Sequence, residues 1–205
     1  LAHAIYYLER ELRVNGYDSI LCCTGNSLET KQQYFNLLRS KKVDAIILAG
    51  SKFIEPKVKD NTYIIDGAQE IPIMLVNGYL EGDNIYSTVC DDRMAVHKAT
   101  GQLIASGCRK IVYLYTSNSF SGTNKMKGYR DALTGHGLPV RPEYIHQCEK
   151  NVICARDLLL ELAKDGLVFD AVMTSDDTLA VGAIKYAHMQ DLKIPDDLSI
   201  VGYNN

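Results

Sequence analysis

Hydrogen-bonding side chains recur directly after the apolar runs of this sequence: Thr24, Ser51 behind Gly50, Asn77, Asp91 with Asp92, Thr116 to Ser119, Asp176 with Asp177, and Asn204. Carboxylates and amides pair with vicinal hydroxyls, so the set suits a polyhydroxylated ligand. A buried acceptor left without its hydroxyl then discriminates against analogues that lack it. The same acids have a plainer use. Aspartate is a favoured N-cap, so Asp91 can cap the helix that follows it, and Asp176 or Asp177 the helix from about Thr178. Their shared location, rather than any one identity, favours a binding site.

Bond-making chemistry finds little support. There is no G-x-S-x-G elbow, no G-x-x-x-x-G-K-[ST] loop, no H-E-x-x-H helix and no G-x-G-x-x-G after a strand. His3, His97, His136, His146 and His188 have no partner at motif spacing. Paired acids could hold magnesium, but such sites share the ion with substrate phosphates, and no phosphate loop is visible. Cys22, Cys23, Cys90, Cys108, Cys148 and Cys154 form no C-x-x-C pair and no zinc pattern. The expectation is a binding protein, not an enzyme, with no metal and no cofactor.

The elements that would position these residues alternate. Ile5, Leu8 and Leu12 recur at helical spacing before Gly16, and Ser19–Cys23 is an apolar run of the kind that buries strands and thiols. A helix is predicted over 29–40, and strands over 44–49, 72–76 and 85–89, with a polar stretch between the first two strands. A second series opens with Asp91 capping a helix to Gly107. It continues with strand 111–115, a helix near 124–135, a short strand near 144–147 and a helix near 155–165. Strand 171–174, helix 178–190 and strand 198–201 complete it. Nearly continuous apolar strands alternating with helices imply an α/β fold of parallel sheets covered on both faces. Two such series predict two lobes, 1–90 and 91–205, meeting near Val89–Asp92. In open parallel sheets the ligand site lies beyond the carboxyl ends of the strands.

A chain of 205 residues, 46% hydrophobic and 23% charged, can bury such cores. Its net charge of −3 argues against gripping phosphate backbones directly, and Lys41-Lys42 and Lys57/Lys59 read as solvated surface. No apolar stretch approaches the roughly 20 residues needed to span a bilayer. The opening segment, with Glu9, Arg10, Glu11 and Arg13, does not read as a signal peptide. Scattered, unpatterned cysteines fit a reducing compartment, so a cytoplasmic location is expected.

Several segments together resemble LacI/GalR-type transcription regulators. Ala171–Ala183 is similar to the family's "A-V-F-A-x-N-D-x-M-A-x-G-A", and Ile194–Asn204 to "V-P-x-D-v-S-v-v-G-Y-D". Lys125–Leu133 matches "R-x-x-G-Y-x-x-A-L", Val43–Leu48 "V-D-G-I-I", Ile71–Asn77 "I-P-V-V-L-I-D", and Val89–Asp92 "V-x-x-D-N". The similarity runs in order along essentially the whole chain.

The resemblance implies two Rossmann-like lobes of the periplasmic-binding-protein type, with a small effector, a saccharide above all, bound between them. It implies a homodimeric repressor whose operator DNA is held by a helix-turn-helix head outside this chain and controlled allosterically. A first strand with its "P-x-x-x-N-P-F-F" loop, and final crossover segments, are likewise expected outside these residues. Asn77, Lys125, Asp176 and Asn204 fall where the family places effector-contacting polar groups, with Ser51 and Asp91 lining the same cleft. Lys125 stands where the family commonly has Arg and so lacks the planar fork. Asn204 and Asn77 stand where Asp is usual, which alters charge and donors. The alternative is a periplasmic or lipid-anchored sugar-binding protein of an ABC transporter, since fold alone does not separate the two. The "I-P-D-D-L-S-I-V-G-Y" and "K-G-Y-R-D-A-L" segments favour the regulator.

Overall fold

The computed structural model describes residues 2–204 and divides the chain into two compact units, Leu1–Cys90 and Asp91–Asn205. The first contains α1 (Ala2–Val14), α2 (Leu28–Ser40), β1 (Ile46–Ala49), a 3-10 turn (Val58–Asn61), α3 (Thr62–Ala68), β2 (Ile73–Val76) and β3 (Ile85–Thr88). The second contains α4 (Asp92–Ala105), β4 (Ile111–Tyr115), α5 (Phe120–Gly135), a 3-10 turn (Pro142–Tyr144) and β5 (Ile145–Gln147). It ends with α6 (Val152–Lys164), β6 (Ala171–Thr174), α7 (Asp177–Met189) and β7 (Ser199–Val201).

In the first unit the strands run parallel in the order β1-β2-β3, with Ile46 beside Ile73 and Ile73 beside Ile85. Ile46, Leu48, Ile73 and Leu75 bury one face of this sheet with Phe35 from α2 and Ile64 and Ala68 from α3. Phe35 meets Tyr63 edge to face, ring centres 5.2 Å apart. Helix α3 lies in the polar stretch between β1 and β2. Its seven residues are too few to show a helical period, although Ile64, Gly67 and Ala68 are buried.

The apolar run Ser19–Cys23 is not the buried strand that its composition predicts. It forms no ladder, Ile20 and Leu21 are exposed, and Cys23 is exposed as well. A strand needs a neighbour to take its backbone hydrogen bonds and layers to cover its faces. No strand among the described residues pairs with this run, and α1 before it buries none of its side chains.

The second unit carries the larger sheet, β5-β4-β6-β7, all parallel. Side chains alternate across it as strand geometry requires. Val112, Leu114 and Val172 face α6 and α7, packing on Ala155, Leu159, Leu179 and Ala183. Ile111, Tyr113, Ala171 and Met173 face α4 and α5, packing on Val96, Leu103, Tyr129 and Leu133. Both faces are covered, which is why these strands read as unbroken apolar runs. Each large side chain fully buried here contributes roughly 1.5–3 kcal/mol. The strand order places β4 and β6 side by side while the chain leaves β4 toward β5 and β6 toward β7. That reversal opens a crevice between the carboxyl ends of β4 and β6.

Candidate functional site

The crevice is bounded by Thr116 after β4 and Ser175 after β6. The Thr116 amide donates to Ser175 Oγ at 3.3 Å, and the Ser175 amide donates to the Leu114 carbonyl at 2.9 Å. Thr174 Oγ1 lies 3.0 Å from the Asp176 carbonyl and 3.2 Å from the Val201 carbonyl, tying β6 to β7 at the same edge.

Lys125, on the second turn of α5, reaches this edge from beneath. It is 7% exposed, and its ammonium donates to the Ser175 carbonyl at 3.0 Å. The Tyr203 ring lies 3.6 Å from Nζ, centre to charge. A cation so placed gains from the ring quadrupole, and more when water is excluded. The Tyr203 hydroxyl donates to Asp92 Oδ1 at 2.5 Å. Asp92 is 3% exposed, and its Oδ2 is buried without a hydrogen-bond partner among the described residues. The Tyr113 hydroxyl is likewise buried without a partner among the described residues. Burial first, then the Asp92 carboxylate, pushes the Tyr113 phenol far above its ordinary value. Four elements thus converge: the start of α4, α5, the β6–α7 junction and the segment after β7.

Asp176 and Asp91 are both N-caps. Asp176 Oδ1 accepts from the Thr178 amide at 3.0 Å, and Asp91 Oδ1 from the Met94 amide at 2.9 Å. Asp176 does more, because its Oδ2 pairs with Lys150 Nζ at 2.7 Å, with the aspartate side chain only 14% exposed. Burial raises the Asp176 carboxyl, but hydrogen bonds from Lys150 and Thr178 and the Lys150 charge outweigh it, so the value lies below the ordinary one. A cavity of about 410 Å³ is lined by Thr116, Gln147, Cys148 and Glu149. Gln147 Nε2 donates to the Thr116 carbonyl at 3.3 Å. Burial, then Cys154, pushes the Cys148 thiol up to about 11, so it stays protonated at neutral pH.

The structure therefore gathers Lys125 with the immediate neighbours of Asp91, Asp176 and Asn204: Asp92, Ser175 and Tyr203. Asp91 itself is exposed and occupied as a cap, and Asn204 is exposed with φ 105°. In the first unit, Asn77 follows β2 in the left-handed region at φ 60°, a conformation asparagine tolerates. Its backbone amide donates to the Thr88 carbonyl at 2.8 Å, and its Oδ1 is buried without a partner among the described residues. Ser51 is half-buried behind Gly50, whose φ of 128° turns the chain at the end of β1.

Residues 2–205 match the family described as periplasmic binding proteins and sugar binding domain of LacI family. An HTH-type transcriptional regulator of Lachnoclostridium phytofermentans is 51% identical over 205 residues, all of this chain and 62% of the relative. The HTH-type transcriptional regulator AscG of Escherichia coli is 27% identical over 212 residues, with the same coverage of each, 100% and 62%. The chain thus spans under two thirds of the length of both relatives. Among solved structures, a sugar-binding transcriptional regulator of the LacI family from Escherichia coli, complexed with phosphate, superposes with a TM-score of 0.87. That pair shares 26% identity and covers 100% of this chain and 73% of the other.

Proposed function

The chain belongs to the family of periplasmic binding proteins and LacI-type sugar-binding domains, and from that premise we propose that it is the effector-sensing part of a transcription regulator whose effector is a saccharide. The observation that carries this reading is Lys125, a buried cation held at the carboxyl edge of a parallel sheet by Ser175 and Tyr203. Burying a charge is costly, and a fold that retains one at a ligand-binding edge has placed it for use. Near it stand the Asp92 carboxylate and the Ser175 and Tyr203 hydroxyls, groups that exchange hydrogen bonds with sugar hydroxyls.

In this account Lys125, Asp176 and Asn204 contact the effector from the second unit, with Asp91 at the margin. Asn77 and Ser51 are further effector-contacting residues in this proposal. The orphaned Oδ1 of Asn77 and Oδ2 of Asp92 are acceptors that a hydroxyl would satisfy. The relatives are named as regulators, not as enzymes or transport proteins, which supports sensing over catalysis or delivery to a transporter. Operator DNA would be held by a helix-turn-helix head outside these residues, in a cytoplasmic homodimer. The effector would shift operator affinity by its differential affinity for the two functional states.

Thermal-shift screening against saccharides, nucleosides and amino acids tests the effector class. The expected outcome is a raised melting temperature with a saccharide, lost on Lys125→Met. Stabilisation by a nucleoside or amino acid only would overturn the saccharide assignment.

A further inference from the structure

The amino end of β4 carries a second cavity, of about 280 Å³, with a floor of Tyr129, Leu133 and Tyr144 and a rim of Arg109, Lys110 and Arg141. It lies five residues along β4 from Thr116, about 16 Å at the usual rise of a strand. The floor offers carbon. Tyr129 and Tyr144 donate their hydroxyls to the Ile111 and Val168 carbonyls at 2.7 and 2.8 Å, so their polar ends are already satisfied.

The rim, by contrast, carries three cationic side chains. Arg109 Nη1 donates to the Ile104 and Cys108 carbonyls at 2.7 and 2.8 Å, which fixes the guanidinium without neutralising it. The nearby Asp170 carboxylate accepts from the backbone amides of Arg109 and Lys110, at 2.8 and 2.9 Å, rather than from their side chains. The side chains of Lys110 and Arg141 make no ion pair or hydrogen bond among the described residues. In a chain of net charge −3, three cations around one apolar hollow form a local exception.

We propose that this cavity is a second ligand site, for a small amphipathic anion: one ring or short apolar body bearing a phosphate or carboxylate. The apolar body would rest on Tyr129, Leu133 and Tyr144, and the anion would meet the guanidinium forks of Arg109 and Arg141 and the Lys110 ammonium. The volume lies at the lower edge of ordinary ligand pockets, which fits a single-ring molecule. The site is separate from the proposed saccharide site and does not depend on it.

The test is titration calorimetry with phenyl phosphate, with inorganic phosphate and phenol separating anion from ring. Phenyl phosphate is expected to bind at least about tenfold tighter than either fragment, and more weakly as salt rises. The double variant Lys110→Ala/Arg141→Ala, both positions exposed, should cost about tenfold in affinity while its melting temperature stays within a few degrees of wild type. Absence of phenyl phosphate binding, equal binding of inorganic phosphate, or unchanged affinity in the folded double variant would each overturn the proposal.

Discussion

The Lys125 ammonium stands 3.6 Å from the centre of the Tyr203 ring, and the same tyrosine is held by its hydroxyl to Asp92. The two contacts have different physical origins. The ring face attracts the cation, while the hydroxyl bond fixes the ring, so Asp92 orients Lys125 without touching it. A side chain as flexible as lysine loses rotamer entropy when held. Here that loss is met before any ligand arrives, which is the sense in which the site is preorganised.

Variants of Tyr203 separate the two contacts. Tyr203→Phe keeps the ring but leaves Asp92 buried without its donor, at a cost of about 1–3 kcal/mol. Tyr203→Leu also removes the ring, adding up to about 2 kcal/mol. Urea unfolding should rank wild type above Tyr203→Phe above Tyr203→Leu; a Tyr203→Phe protein as stable as wild type would show that the hydroxyl bond contributes nothing.

Asp176 serves a helix and, in this account, a ligand. Asp176→Ala removes the cap of α7 and should cost about 1 kcal/mol, whereas Asp176→Asn keeps a capping oxygen and should cost less. Both should weaken saccharide binding. Lower stability with unchanged affinity in Asp176→Ala would leave the residue as a cap alone.

The same carboxyl sets a pH dependence. Its folded value lies below the ordinary one because Lys150 and Thr178 outweigh burial. Its contribution is therefore fully present above about pH 4, the ordinary carboxylate value, and is lost as pH falls through the lower folded value. The stability gap between wild type and Asp176→Asn should be constant from pH 5 to 7 and narrow below about pH 4. A gap that widens with acid would contradict the assignment.

Gly128 marks the tightest crossing of α4 and α5. A Cβ there would fall 2.2 Å from the Arg93 carbonyl oxygen and 3.0 Å from the His97 nitrogen, both backbone atoms that cannot swing aside. Gly128→Ala should destabilise by about 1–3 kcal/mol through overpacking, despite alanine's better helix propensity. A stabilised variant, by denaturant midpoint, would mean that the two helices separate freely.

The fold is most legible where strands are covered on both faces, as β4 and β6 are. Unbroken runs such as Ile111–Tyr115 and Ala171–Thr174 need no period to be recognised. Ser19–Cys23 has the same composition without the neighbours, and composition does not reveal neighbours. Helix α3 was missed for the opposite reason, being shorter than its signal. The strand-end reading and the structure's inward contacts differ by one residue at three places. Reading strand ends finds Asp91, Asp176 and Asn204, while the inward contacts fall on Asp92, Ser175 and Tyr203. At a helix start one residue turns back to cap and the next faces the core, as Asp91 and Asp92 do. Two adjacent aspartates carry no mark of which does which. Lys125 was found by resemblance alone, since a lysine on a helix otherwise reads as surface.

Whether the buried lysine at the sheet's carboxyl edge receives a saccharide is decided by calorimetric titration of wild type and Lys125→Met with the saccharide that most raises the melting temperature. Exchanging the buried cation for a side chain of similar length should leave stability within about 1–2 kcal/mol. Affinity should fall by at least about tenfold, the equivalent of one lost charge-assisted hydrogen bond. A Lys125→Met protein that folds and binds the saccharide as tightly as wild type would contradict the account.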